Sequence, residues 1–170
     1  ADREGKCERC KKKIETNLWY SPIDDKDEYA IIGVYDADAL SANMIIAKSF
    51  NGKPITEISE NALSNIEVDS VDMSPAIKYV RSGAFSSSFV KNVNCSSALI
   101  SIGEGAFRHC KMLTKITLHS SIMFIGTNAF EGCISLDEVV FYDTQEQFNK
   151  ISIMPGNDAF INATITFINN

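Results

Sequence analysis

Ile102-Gly103-Glu104-Gly105-Ala106-Phe107-Arg108-His109-Cys110-Lys111-Met112-Leu113-Thr114-Lys115-Ile116-Thr117-Leu118 decides the architecture of this chain, because the stretch is one copy of a pattern that recurs. Aligning Ala62-Leu63, Ala84-Phe85, Ala106-Phe107 and Ala129-Phe130 gives spacings of 22, 22 and 23 residues. An aliphatic residue stands four positions before each Ala: Ile58, Val80, Ile102 and Ile125. An apolar triplet follows each one: Val68/Val71/Met73, Val90/Val93/Cys95, Leu113/Ile116/Leu118 and Leu136/Val139/Phe141. A repeat of this length is the signature of a solenoid, whose single coil cannot bury its own apolar face but whose stacked coils can.

The last two members of each triplet alternate with period two, as in a half-buried strand. Residues 71 and 73, 93 and 95, 116 and 118, and 139 and 141 are therefore expected to point inward, one strand per coil, in a stacked parallel sheet. Asp72, Asn94, Thr117 and Val140 then point outward, flanked by Ser70, Asn92, Lys115 and Glu138 and by Ser74, Ser96, His119 and Tyr142. The Ala-Phe dipeptides suit a tight bend on the opposite side. Phe85, Phe107 and Phe130, with Leu63, would stack along the axis, each buried Phe contributing about 2–3 kcal/mol by transfer. The third and fourth copies carry one more residue between Ala and triplet, around Cys110 and Cys133, in a bend where strand register survives the insertion.

Outside the repeats, Leu18–Tyr20 and Tyr29–Tyr35 read as an N-terminal hairpin across an acidic turn. Trp19 and Tyr29 are expected to cover the first coil. Met44–Ile46 is a further short strand, and Asn51-Gly52-Lys53-Pro54 a turn. After Asp143 the pattern breaks. Thr144–Lys150 reads as a short amphipathic helix with a Thr N-cap, followed by strand-like 151–153, a turn at 155–158 and strand-like 163–168. The expected organisation is a tail at 1–16 and one domain over 17–170: N-terminal cap 17–43, repeats 44–142 and C-terminal cap 143–170.

The 170 residues are 45% hydrophobic and 22% charged, in the soluble globular range. The net charge of −6 argues against a nucleic-acid surface, and no stretch approaches the length of an apolar membrane helix. No signal peptide is visible.

The copy at 102–118, and its near repeat from Ile125 to Leu136, resemble the BspA-like leucine-rich repeat, with its Ile-Gly-x-x-Ala-Phe-x-x-Cys-x-x-Leu-x-x-Ile-x-Ile pattern. The resemblance spans residues 29–168 and includes the lead-in Phe50–Ile58 and the ending at Tyr142–Phe148 and Ala163–Ile165. It departs where Ser59 and Arg81 replace Gly, Ile66 and Ser88 replace Cys, and Leu63 replaces Phe. The fold it implies is an α/β repeat solenoid, a right-handed leucine-rich-repeat superhelix with a parallel sheet, an N-terminal hairpin cap and a C-terminal cap. The function it implies is a bacterial, secreted or cell-surface module for adhesion and host or matrix protein binding. It brings no catalytic residues and no cofactor.

The candidate binding surface is the outward row of Asp72, Asn94, Lys115, Thr117, His119, Glu138, Val140 and Tyr142, as extended repeat faces commonly bind partners. Tyr142 is its best anchor, since Tyr is enriched in hot spots. The expected partner is a protein or glycan, such as host extracellular matrix, bound by a monomer without membrane insertion.

The five cysteines do not form a dense, even disulfide framework. Cys110 and Cys133 lie at equivalent positions and could be a disulfide or metal pair. They read more simply as buried small side chains, as does Cys95. Cys7-Glu8-Arg9-Cys10 is the alternative centre, half of a zinc site or a redox pair, although the charged surroundings supply neither further ligands nor a strand-to-helix context. His109 and His119 fall at different repeat positions. Asp24, Asp25, Asp27 and Glu28 lack the Gly and terminal Glu of a calcium loop, and no metal is expected there.

Overall fold

The computed structural model describes residues 17–169. In chain order the strands begin with β1 (Leu18–Pro22), β2 (Tyr29–Val34), β3 (Asn43–Ile45), β4 (Ser49–Phe50) and β5 (Lys53–Ile58). They continue through β6 (Ser70–Asp72), β7 (Tyr79–Val80), β8 (Asn92–Asn94), β9 (Ser101–Ile102), β10 (Lys115–His119), β11 (Phe124–Ile125) and β12 (Glu138–Tyr142). The short helix α1 (Gln145–Phe148), β13 (Ser152–Ile153), α2 (Asp158–Asn162) and β14 (Thr164–Phe167) complete the chain.

The inward–outward alternation of the triplets produces the expected parallel sheet, ordered β14-β12-β10-β8-β6-β3. Its inward residues Val71, Met73, Val93, Cys95, Ile116, Leu118, Val139 and Phe141 are all buried. Each coil contributes two strands, however, rather than one. The aliphatic residue before each Ala belongs to a second sheet, β1-β2-β5-β7-β9-β11-β13, parallel from β2 onward. Most of those strands are two residues long, too short to show an alternating pattern in sequence. The chain is a parallel β-solenoid, and regular helix among the described residues is confined to α1 and α2 near the C-terminus.

The Ala-Phe segments are turns, and the coils stack through them by backbone hydrogen bonds. Leu63 N–H donates to the Ala84 carbonyl (2.8 Å), Phe85 N–H to Ala106 (2.7 Å) and Phe107 N–H to Ala129 (2.8 Å). Each turn needs two left-handed residues. Before Ala these are Asn61, Gly83, Gly105 and Asn128, and three residues after Ala they are Asn65, Ser87, His109 and Gly132, all with φ between 55° and 73°. Gly and Asn tolerate that region best. The Gly of the repeat motif serves a different need: a Cβ on Gly126 would lie 2.6 Å from Glu104 N and 2.7 Å from Gly103 C, so only Gly lets these coils close up.

The interior is the expected aromatic column. Phe85 and Phe107 stack at 5.0 Å between ring centroids, and Phe107 and Phe130 at 5.3 Å, nearly parallel. Leu63 is buried with them. The column continues into Phe160 of α2, 4.8 Å from Phe130, a helix and a rung that the turn reading of this segment missed.

The N-terminal hairpin forms, with a register shift between Trp19 and Tyr20. Its covering residues differ from expectation. Leu18 and Ile31 are buried, whereas Trp19 points away and is 54% exposed, packed edge-on against Tyr35. Strand alternation puts Leu18 in and therefore Trp19 out. Tyr29 is half-buried against Phe50. Asn51-Gly52 closes the β4–β5 hairpin, both residues at positive φ, and Thr144 caps α1 by accepting from Gln147 N–H.

Candidate binding face and the buried cysteine ladder

The outer side of the six-stranded sheet brings the sequence-predicted residues together in cross-strand couples. Asp72 lies opposite Asn94, Lys115 opposite Glu138, Thr117 opposite Val140 and His119 opposite Tyr142. Asn94 Nδ2 donates to Asp72 Oδ1, Lys115 Nζ pairs with Glu138 Oε2 at 2.9 Å, and the rings of His119 and Tyr142 stack at 4.9 Å. Thr117 and Val140 lie on this side but are buried. The five-residue strands β10 and β12 bracket them with the Lys115–Glu138 pair on one flank and the His119–Tyr142 stack on the other. The exposed part of the row is therefore Asn94 and Tyr142, with Asp72, Lys115, His119 and Glu138 half-buried.

The face carries little unpaired charge, because rungs neutralise one another. The same device holds other surfaces: Glu57–Arg81, Asp69–Lys91 and Arg108–Glu131 each join neighbouring coils. Burial against Tyr142 and the sheet lowers the His119 pKa below its ordinary value. His109 stands apart in its turn, over the next coil's Gly132, and does not meet His119.

The Cys positions have a structural role beyond filling space. Cys110 Sγ donates to the Phe85 carbonyl and Cys133 Sγ to the Phe107 carbonyl, both at 3.0 Å, one coil back. Ser88 Oγ does the same to the Leu63 carbonyl at 2.8 Å, so its place in the Cys column keeps the donor. Cys95, Cys110 and Cys133 are free thiols, and burial pushes the thiols of Cys110 and Cys133 up to about 12 and that of Cys95 higher still. A buried neutral thiol is a poor nucleophile and a poor metal ligand. The Cys7/Cys10 pair lies outside the described residues. In the acidic turn, Asp27 pairs with Lys53, and Glu28 accepts from Thr56 and Lys78.

Residues 42–169 match the family described as BspA type leucine rich repeat region, in 6 copies. The chain belongs to that family. The matched range includes all six strands of the outer sheet, β3 and β14 among them. A leucine-rich-repeat array of this type is in general a non-enzymatic scaffold for interaction. Solved structures agree on the fold. A T. pallidum leucine-rich repeat protein shares 16% identity over 90% of this chain and 82% of its own, with a TM-score of 0.53. The pneumococcal vaccine antigen PcpA shares 21% over 76% of this chain, with a TM-score of 0.63, and a leucine-rich cell surface protein of Faecalibacterium prausnitzii 21% over 82%, at 0.55. The chain spans 37% and 42% of the latter two proteins. No curated protein matches the chain significantly. Among the described residues no helix is long and apolar enough to cross a membrane.

Three features escaped the sequence reading. One is the second sheet. Another is the Phe160 rung, signalled by Ala159-Phe160 but set 30 residues after Ala129-Phe130 by the α1 insertion. The last is the exposure of Phe89, Met112 and Ile134 in the bends ahead of the outer sheet.

Proposed function

We propose that this chain is a non-catalytic protein-binding module, displayed at the bacterial surface or secreted, that engages its partner with the outer face of the six-stranded sheet. The observation that carries the reading is the His119–Tyr142 stack. In a solenoid that sends the Phe of its Ala-Phe turns inward, this pair lies on the outer side with Tyr142 exposed, next to the Lys115–Glu138 couple. Tyr presents large contact area with a polar tip at low entropic cost, which suits an anchor. Asn94 and Asp72 extend the surface, and Thr117 and Val140 support it from beneath. The acidic net charge disfavours nucleic acid as the partner. The surface location draws on the similar proteins above, one a cell surface protein and one a vaccine antigen.

The test is binding of the full chain to immobilised extracellular-matrix proteins and mucin, compared with Tyr142→Ala and Lys115→Glu. Binding that falls at least tenfold in Tyr142→Ala, with an unchanged melting temperature, supports the reading. Binding retained by every face variant overturns it.

A further inference from the structure

The six-stranded sheet ends on a strand with one side unused. β14 pairs with β12 alone, in an unbroken parallel register from Glu138 opposite Thr164 to Phe141 opposite Phe167. Thr164 N–H donates to the Asp137 carbonyl at 2.8 Å and Ile168 N–H to that of Phe141 at 2.9 Å. Backbone groups of successive residues in a strand turn to alternate sides. Thr164, Thr166 and Ile168 therefore direct theirs to β12. Ile165 and Phe167 present theirs to the open side, where no described residue pairs with them. A row of free N–H and C=O groups is a template for another strand, and proteins usually blunt it with charge, proline or a bulge. Thr164-Ile165-Thr166-Phe167-Ile168 carries none of these.

Three observations say what pairs there. The first is the packing at this end. Phe148 of α1 stacks on Phe160 at 6.1 Å between centroids and meets Phe141 and Phe167 edge-on. That ring closes the aromatic column, so what stays open is a strand edge and not a gap in the core. The second is charge. The chain is 22% charged with a net charge of −6, yet residues 151–170 hold a single charged side chain, Asp158. Two acidic copies that repel through most of their surface meet here across uncharged ground. The third is self-complementarity. Laid antiparallel against itself about Thr166, β14 sets Ile165 opposite Phe167 of the second copy, as a hydrogen-bonded pair built from the groups that are free. Thr166 then faces its own counterpart. Aromatic–β-branched and Thr–Thr couples are favourable cross-strand pairs, and no like charges are opposed. Ile165 and Phe167 continue the inward columns of Val139 and Phe141, and exposed Thr166 continues the outward column of Val140. A two-fold axis normal to the sheet keeps inward and outward on the same sides in both copies. The two α1 helices, each held at Phe167 through Phe148, fall at opposite ends of the strand pair.

We infer that two copies of this chain associate through β14, antiparallel and centred on Thr166, joining their six-stranded sheets into one. The pairing leaves both outer faces on the same side of the joined sheet, with Tyr142 of each copy one strand in from the junction. The inference stands on the strand edge and not on what the outer face binds. Where that face does bind, two linked faces raise the avidity for a repetitive partner.

Sedimentation velocity on the full chain tests it, from about 1 μM to about 1 mM, the span of weak to moderate dissociation constants. The expected result is a monomer that passes to a dimer and no further. Thr166→Lys and Thr166→Glu supply the decisive comparison. The Thr166 side chain is exposed, so both variants keep the fold, which an unchanged melting temperature at the lowest concentration checks. Each variant sets like charges against each other at the two-fold and should dimerise at least tenfold more weakly. An equimolar mixture of the two should recover the dimer, because only a residue that faces its own counterpart lets opposite charges meet there. Hydrogen exchange on the wild type should show the Ile165 and Phe167 amides gaining protection with concentration, and those of Thr166 and Ile168, already bonded to β12, gaining much less. A monomer at every concentration overturns the inference. So does a dimer indifferent to both variants, a loss in both that the mixture does not repair, or species that keep growing past the dimer. A dimer that binds no matrix protein leaves this inference intact and counts against the outer-face reading alone, and a monomer that binds one does the reverse.

Discussion

Asn157 Oδ1 accepts the backbone N–H of Phe130 at 3.0 Å, taking the place that the carbonyls of Ala84, Ala106 and Ala129 hold for the coils before it. In the coil that follows, Ala159-Phe160 lies within α2, and a fully buried side-chain amide rather than the Ala carbonyl supplies the acceptor. Its Nδ2 donates to the carbonyls of Gly126 and Met154. One residue thus ends the ladder without leaving buried polar groups orphaned.

Replacing that amide should be costly. Asn157→Ala strands one N–H and two carbonyls, each about 1–3 kcal/mol when buried and unsatisfied, so a loss on the order of 3–5 kcal/mol is expected. Asn157→Asp keeps the acceptor but loses both donated bonds and buries a charge, and should also destabilise. Urea unfolding reads the loss. Hydrogen exchange at the Phe130 amide should accelerate far more than at Phe85. Wild-type stability of Asn157→Ala would rule out this account of the C-terminal end.

The aromatic column predicts a graded response. Phe107 is stacked on both sides, so Phe107→Ala should cost about 3–5 kcal/mol through lost burial and a cavity. Phe107→Leu should cost much less, about 1–2 kcal/mol, because Leu63 already fills the same position in the first full turn without exposure. A double-mutant cycle with Phe130 should return about 0.5–1.5 kcal/mol of coupling. Equal costs for Ala and Leu would mean that ring stacking and volume are not what the column supplies.

The thiols of Cys95, Cys110 and Cys133 should stay unreactive toward an aromatic disulfide reagent at neutral pH until the chain unfolds, since burial holds them neutral. Their folded pKa lies above the unfolded value of 9.0, at about 12 for Cys110 and Cys133. The associated stability is therefore full below pH 9 and is lost as pH rises toward 12. Cys110→Ser keeps a donor to the Phe85 carbonyl, as Ser88 shows one coil earlier, and should be close to neutral at pH 7 while weakening the alkaline loss. Cys110→Ala forfeits the bond and should be the worse of the two. Rapid labelling of native Cys110 would contradict the buried ladder.

The solenoid was legible because its code is repetitive: period-two triplets and Ala-Phe dipeptides each report one rung, and four copies reinforce one another. What stayed hidden lacked that redundancy. Strands of two residues such as β7 and β9 carry no alternation to read. Phe160 sits behind an insertion that breaks the spacing, and Asn157 substitutes a side chain for a backbone group, which no pattern of residue types announces. Strand alternation gives the direction of a side chain and not its exposure. Thr117 and Val140 point out and are still buried, lying between the Lys115–Glu138 pair and the His119–Tyr142 stack on the five-residue strands. Trp19 shows the converse, an aromatic residue assigned to the core by its type and turned to solvent by its register.

Acid should loosen the N-terminal end before the aromatic column. Glu28 on the hairpin accepts from Thr56 Oγ1 at 2.8 Å and from Lys78 Nζ at 2.7 Å, tying β2 across β5 to the coil that holds β7. The hydrogen bond from Lys78, then that from Thr56, holds its carboxyl below the usual carboxylate range. A depressed carboxylate pKa contributes stability that is present above the unfolded value and is lost as pH falls through the folded one. His119 acts earlier on the same descent: burial lowers its pKa, so the unfolded chain takes up the proton first, and stability falls as pH drops through the unfolded value near 6.5. Glu28→Gln should therefore be less stable than wild type at pH 7 and converge with it at pH 3, whereas His119→Gln should flatten only the limb nearer neutrality. Amide exchange across β1 and β2 should rise in Glu28→Gln and stay unchanged in His119→Gln, since His119 lies on the opposite sheet. A Glu28→Gln variant that follows the wild-type acid curve throughout would show that the cap is held by its apolar contacts alone.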